Sequence, residues 1–233
     1  MAEVVQSRRE RHKAQTEREI KTTALRLMAQ GGPDAISLRA IGREMGMTAS
    51  AIYGYFATRD DLITTLIQDL YVELLNVVEA ARDSRPAADA GGRLLAWAEA
   101  FRSWSLTNPQ GFRLVYGDAI AGYQAPEGGA APESERRACA ELIALVAATW
   151  PQASARQGGV DHRWSDFAPS LRAEIPGLPP AAVALALRVW GRMYGLVALE
   201  IYGRLAGQTQ DPAKLYRAEM LDLLTTLGQA HPG

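Results

Sequence analysis

Apolar residues along this chain recur at steps of three and four, and nowhere in the strict alternation that a half-buried strand requires, so the pattern predicts an all-α fold. The most informative stretch is Ser37 to Leu62. Leu38, Ile41 and Met45 place one face of a short helix inward, and Gly46 suits a left-handed turn position that a side chain makes costly. Thr48 can cap a second short helix through its hydroxyl, with Ile52 and Phe56 spaced to anchor it and Ala49, Ser50, Tyr53 and Gly54 near its exposed end. Thr58 with Asp61 resembles a capping box, after which Leu62 opens a new apolar stripe. Two short helices joined by a glycine turn are a helix-turn-helix, whose second helix can enter the DNA major groove.

Before this stretch, residues 1–15 are polar and charged and read as a mobile arm. Arg8, Arg9, Arg11 and Lys13 permit phosphate attraction, and a solvated tail is the plain alternative. Thr16 and Glu19 look like a capping box for a helix carrying Ile20, Ala24, Leu27 and Met28 inward, stopped by Gly31-Gly32-Pro33. After it, a long helix runs from near Arg59 to Arg85-Pro86, long enough to link two domains mechanically. Further helices are expected from Leu94 to Asn108, around Phe112–Tyr116, over 133–150, over 181–206 and over 211–229. Asp118 to Pro132, rich in Gly, Ala and Pro, reads as a flexible loop. Residues 151–178 read as irregular, with a short helical turn around 161–171. The domains expected are an arm over 1–15, a helix-turn-helix domain over 16–62 and a helical regulatory and dimerisation domain over 63–233.

The helix from Val183 to Leu205 is apolar nearly all round, with Val183, Leu187, Trp190, Tyr194, Val197 and Ile201 on one side and Leu185, Val189, Met193, Leu196 and Leu199 on the other. A helix without a wet face is buried on both sides, so one side needs a partner. Arg188, Arg192 and Glu200 argue against a membrane span.

Composition changes this picture little. The net charge is −1, but residues 1–60 carry ten Lys/Arg against seven Asp/Glu and the remainder fifteen against nineteen, which fits a DNA-facing N-terminal part on an acidic body. The single cysteine, Cys139, excludes an internal disulfide and suggests a reducing compartment. With no apolar core near the N-terminus, no secretory signal is expected, and the location expected is cytoplasmic. The three histidines, His12, His162 and His231, lack metal-ligand spacing with each other or with Cys139. No nucleophile elbow, Walker loop or dinucleotide fingerprint occurs. Neither an enzyme, a cofactor nor a metal is expected.

The run Ala51-Ile52-Tyr53-Gly54-Tyr55-Phe56 followed by Thr58-Arg59-Asp60-Asp61-Leu62 resembles the N-terminal signature of the TetR family of bacterial transcriptional regulators. That resemblance implies DNA contact by Ser37, Thr48, Ala49, Ser50, Tyr53, Tyr55 and Arg59, with Thr48, Tyr53 and Arg59 on the backbone and Ala49 and Ser50 nearest the bases. Trp190 to Glu200, with Asn108-Pro109…Phe112 ahead of it, resembles a WHG-like C-terminal ligand domain of that family, in which histidine usually stands where this chain has Tyr194. It implies a homodimer paired through the last two long helices. It also implies a cavity near Trp97, Phe101, Trp104, Phe112, Tyr116, Trp190 and Tyr194, although an aromatic stripe at helical spacing is also what a plain core gives.

The expected function is a ligand-responsive dimeric repressor, bound to a palindromic double-stranded operator and released by a small, largely apolar or aromatic effector. A DNA-binding regulator without a small-molecule inducer, or an activator, is the alternative.

Overall fold

Ile20, Ala24 and Met28, one turn apart, are fully buried and fix the inner face of α1 (Arg8–Gly31). The structure, a computed structural model, describes residues 8–117, 120–157, 161–175 and 177–229, without the side chains of Ala49 and Glu174. Among these residues there are ten α-helices and no strand, as the periodicity predicts.

The chain divides into two compact units, and the division falls inside α4 (Arg59–Asp83), between Tyr71 and Val72. The first unit holds α1, α2 (Leu38–Glu44), α3 (Ala49–Tyr53), the start of α4, and residues 110–132 with nearly all of α6 (Pro109–Tyr116). Its core is Ile20, Ile36, Ile41, Ile52, Leu62 and Ile63, each fully buried. Gly46 has φ 65°, the left-handed turn between α2 and α3. Gly42 serves differently: a Cβ there would stand 3.1 Å from the Ile52 side chain and 3.3 Å from the Met47 carbonyl, so any larger residue would push the two short helices apart by a few tenths of an ångström. Reciprocal bonds of 3.0 Å, from the Thr58 amide to the Asp61 carboxylate and from the Asp61 amide to the Thr58 hydroxyl, make the capping box expected at the start of α4.

Two expectations fail in this unit. Of the expected arm, residues 1–7 lie outside the described residues and 8–15 are helical, part of α1, so that Thr16 lies in mid-helix with its hydroxyl donating to the His12 carbonyl at 3.0 Å. Without backbone dihedrals, a threonine bonding back into the preceding turn and one capping a helix look alike. The loop expected over 118–132 is held in place over its described part, 120–131. The Arg59 guanidinium donates to the Ala121 carbonyl at 3.1 Å, the Gln124 amide to Asp60 at 3.2 Å, and the Gln68 amide to the Ala130 carbonyl at 3.0 Å, while Thr64 and Tyr123 hydroxyls meet at 2.9 Å. Ile120, Ala130 and Ala131 are buried. A Gly- and Pro-rich composition marks turns but is silent on such distant carbonyl partners.

The second unit holds the rest of α4, α5 (Ala90–Thr107), α7 (Pro132–Ala153), the short α8 (Pro169–Glu174), α9 (Pro180–Ile201) and α10 (Pro212–Thr226). α5 begins a turn earlier than expected because Asp89 caps it, accepting from the Gly92 amide at 2.8 Å. α7 passes through Pro151 instead of stopping before it, and α9 ends at Ile201. Its buried side is Val183, Leu185, Val189, Met193 and Val197, while Leu187 and Leu199 are 45% and 42% exposed. By length and composition α9 could cross a membrane, but 44% of its most apolar window is buried within the protein.

α5, α9 and α10 are cross-tied. Arg102 on α5 grips the Glu200 carboxylate of α9 with two bonds of 2.7 and 3.0 Å, and Arg192 on α9 pairs with Glu219 of α10. Tyr216 on α10 is 3% exposed and donates its hydroxyl to the Ala98 carbonyl of α5 at 2.9 Å. Burial pushes that hydroxyl well above the ordinary tyrosine value near 10, outweighing the opposite pull of Arg102 over its ring. Because the folded-state value is raised, the contribution of Tyr216 is complete below pH 10 and is lost as pH rises above it. Tyr216→Phe is expected to cost about 1 kcal/mol at neutral pH, through the lost hydrogen bond. It should also flatten the fall in stability above pH 10, as urea unfolding on either side of that value would show.

Candidate nucleic-acid interface

The second short helix of the first unit is held by its inner face and left bare on its outer one. Ile52 is fully buried and Phe56 is 5% exposed, so α3 is pinned near its C-terminal end and just beyond it. Thr48 caps it as expected, its hydroxyl accepting from the Ala51 amide at 3.2 Å. Ser50 and Gly54 are exposed, and Tyr53 is 47% exposed. Tyr55 is half-buried at the end of the helix. Ser37 occupies the cap position of α2, half-buried, with no side-chain bond to the helix. The Ala49 side chain lies outside the described residues.

Arg59, expected on phosphate, is engaged within the protein in this structure. Its three guanidinium nitrogens donate to the carbonyls of Ile36 (2.8 Å), Ala121 (3.1 Å) and Pro33 (3.2 Å). The side chain that resemblance assigns to phosphate is occupied in knitting the turn before α2 and the 120–131 segment to the start of α4. Sequence shows a cation next to an N-terminal cap; it carries no signal for three distant carbonyls. Conversely, Arg39 and Arg43 are exposed on α2, and no pattern singled them out.

The aromatic residues form two groups. In the second unit, Trp97 stacks on Phe101 with centroids 5.8 Å apart, Phe101 meets Trp190 at 5.2 Å, and Trp190 stacks on Tyr194 at 5.6 Å. Trp104 on the same helix as Trp97 donates its indole N–H to Glu73 of α4 at 2.9 Å. The Trp97 indole nitrogen is buried without a hydrogen-bond partner among the described residues, in a residue only 3% exposed. Phe112 and Tyr116 belong to the first unit, where Phe112 packs on Tyr116 at 5.3 Å and Tyr116 meets Tyr71 edge-on at 6.0 Å.

Comparison with known proteins bears on both units. Residues 20–66 match the family model described as bacterial regulatory proteins, tetR family, and residues 94–223 match the model described as tetracyclin repressor-like, C-terminal domain. The HTH-type transcriptional regulator Rv1816 of Mycobacterium tuberculosis is 32% identical over 220 residues, which cover 92% of this chain and 93% of that one. The HTH-type transcriptional regulator Mb1846 of Mycobacterium bovis matches with the same 32% identity and coverage. The crystal structure of the regulatory protein SCO4313 superposes with a TM-score of 0.76 at 33% identity, over 94% of this chain and 100% of that one. A tetR-family regulatory protein from Rhodococcus RHA1 shares the fold at 18% identity, with a TM-score of 0.63 over 92% of this chain and 98% of its own.

Proposed function

The chain belongs to the tetR family of bacterial regulatory proteins, a DNA-binding transcriptional regulator and not an enzyme, and from that premise we propose that it is a cytoplasmic homodimeric repressor released from its operator by a small effector. The observation that carries the DNA side is the outer face of α3, with Ser50, Tyr53 and Gly54 exposed on a capped, internally pinned helix. In the major groove this face would bring Ser50 toward base edges and Thr48 and Tyr53 toward phosphates, with Ser37 and Tyr55 flanking them; the family resemblance adds Ala49 beside Ser50. Arg59 contributes by fixing the frame rather than by touching DNA.

Dimerisation is supported by the outward leucines of α9, Leu187 and Leu199, together with Leu215, 41% exposed on α10. A two-fold interface of about 1,600 Å² through these helices calls for a palindromic operator, its half-sites about one helical turn or a multiple apart.

The effector reading is supported by the match of residues 94–223 and by Trp97. A buried donor without an acceptor costs about 1–3 kcal/mol, which a ligand carbonyl accepting from it would remove. That donor beside aromatic rings suits an uncharged aromatic molecule bearing one oxygen acceptor, entering among Trp97, Phe101, Trp104, Trp190 and Tyr194 by parting rings that pack on one another at 5.2–5.8 Å in this structure. Such a ligand acts by favouring one tilt of α4, and a coupling of about 1–3 kcal/mol weakens operator binding roughly 5- to 150-fold.

Selection of bound duplexes from random DNA tests the DNA reading. A palindrome should be recovered, and Tyr53→Ala should weaken every duplex by a similar factor, about 10-fold, because a phosphate contact carries no sequence information. Recovery of no enriched sequence would contradict it.

A further inference from the structure

The described part of α1 runs for two turns ahead of Thr16, its first buried residue, and every residue from Arg8 to Lys13 is exposed. These turns lie ahead of residues 20–66, the segment matched to the family's DNA-binding model. No packing therefore explains their composition: Arg8, Arg9, Arg11 and Lys13 against the single carboxylate of Glu10.

That composition gains the helix nothing. Arg9 and Lys13, one turn apart on one face, repel each other. The helix forms because it propagates from the buried stretch 16–28. Where residues break local rules without a structural gain, a binding role is the usual compensation.

The groove these turns border points to the partner. Arg9, His12 and Lys13, with Glu10, line one open groove together with Gly54 and Tyr55, which directly follow α3. The basic face of α1 thus flanks the end of the helix assigned to the major groove.

We propose that the first two turns of α1 are a second DNA-binding element, with Arg9 and Lys13 seated on the phosphate backbone beside the groove that α3 enters. The proposal rests on that role of α3. Arg9 and Lys13, at the groove edge beside Gly54 and Tyr55, would take phosphates other than those assigned to Thr48 and Tyr53. Phosphate contacts add affinity without sequence preference, and each neutralised phosphate adds about 0.9 to the slope of log affinity against log salt.

The test is a salt titration of the full-length protein on its selected operator, with Arg9→Gln/Lys13→Gln beside the wild type. Glutamine keeps helix propensity, and the exposed positions leave the core alone. The slope should fall by about 1.8 for each chain bound, with parallel losses on operator and on random-sequence duplex. A second measurement needs no variant: on a duplex trimmed at both ends to remove the outermost phosphates, the wild type should show the variant's lower slope. Unchanged slope and affinity in both measurements, with the wild type binding its operator, would overturn the ridge alone. A wild type that binds no duplex overturns the role of α3, and the ridge with it.

Discussion

Leu187→Glu together with Leu199→Glu is expected to convert the protein from dimer to monomer and to lower operator affinity at least 100-fold. Both leucines stand outward on α9, 45% and 42% exposed, while the opposite side of the helix is sealed against α5 and α10. Covering the exposed part of such a half-buried leucine contributes about 1 kcal/mol, so two chains with two leucines each add about 4 kcal/mol at the centre of the interface. A glutamate in each place loses that contribution and meets its own copy, or other acidic groups, across the two-fold axis. Two recognition helices held together bind as one bivalent unit, and separation forfeits an avidity of about 10²–10⁴. Sedimentation and operator titration read the two effects together. A double variant that still sediments as the wild-type dimer, or a monomeric one with full affinity, would contradict the assembly. Val197, equally apolar in sequence, is the wrong place for this experiment: it is fully buried, and a charge there would unfold the chain.

Arg59→Ala is expected to destabilise the protein by about 2–3 kcal/mol while leaving the salt slope of DNA binding nearly unchanged. Bonds from a charged donor contribute about 1.5–3 kcal/mol each when shielded, and the part-exposed, shared guanidinium here justifies a total well below three times that. The three carbonyls of Pro33, Ile36 and Ala121 would each lose a donor, loosening the turn before α2 and the 120–131 segment together. Arg59→Lys should recover less than half of the loss, because a single ammonium lacks the fork that reaches three acceptors. Urea unfolding gives the stability, and operator binding over a range of salt gives the slope. A slope lowered by about one with stability intact would place Arg59 on phosphate after all.

Local chemistry was legible in the sequence wherever cause and effect lie within a few residues. Thr48, Thr58 with Asp61, and Gly46 sit where their caps and turn were expected, and the buried positions Ile41, Ile52 and Leu62 follow from helical spacing. What was illegible depends on partners far along the chain. Arg59 is engaged by carbonyls 23, 26 and 62 residues away. The 120–131 segment is ordered by α4 side chains that composition cannot announce. Helical periodicity in α9 marked both its sides as apolar, but only packing on α5 and α10 settles that Leu199 faces out and Val197 in. The same holds for the aromatic residues: spacing gathered seven, whereas Phe112 and Tyr116 pack with Tyr71 in one unit and Trp97, Phe101, Trp190 and Tyr194 form a chain of rings in the other.

The switch is tested most directly by following tryptophan fluorescence and operator anisotropy in one sample while an uncharged aromatic carbonyl compound, benzamide being the simplest, is titrated in. The account predicts that both signals change with a single midpoint in the wild type. In Trp97→Phe, which keeps the ring but not the N–H, that midpoint should move about 10-fold higher, with operator binding in the absence of ligand unchanged. Operator release without a tryptophan signal, or a midpoint unmoved in Trp97→Phe, would contradict it.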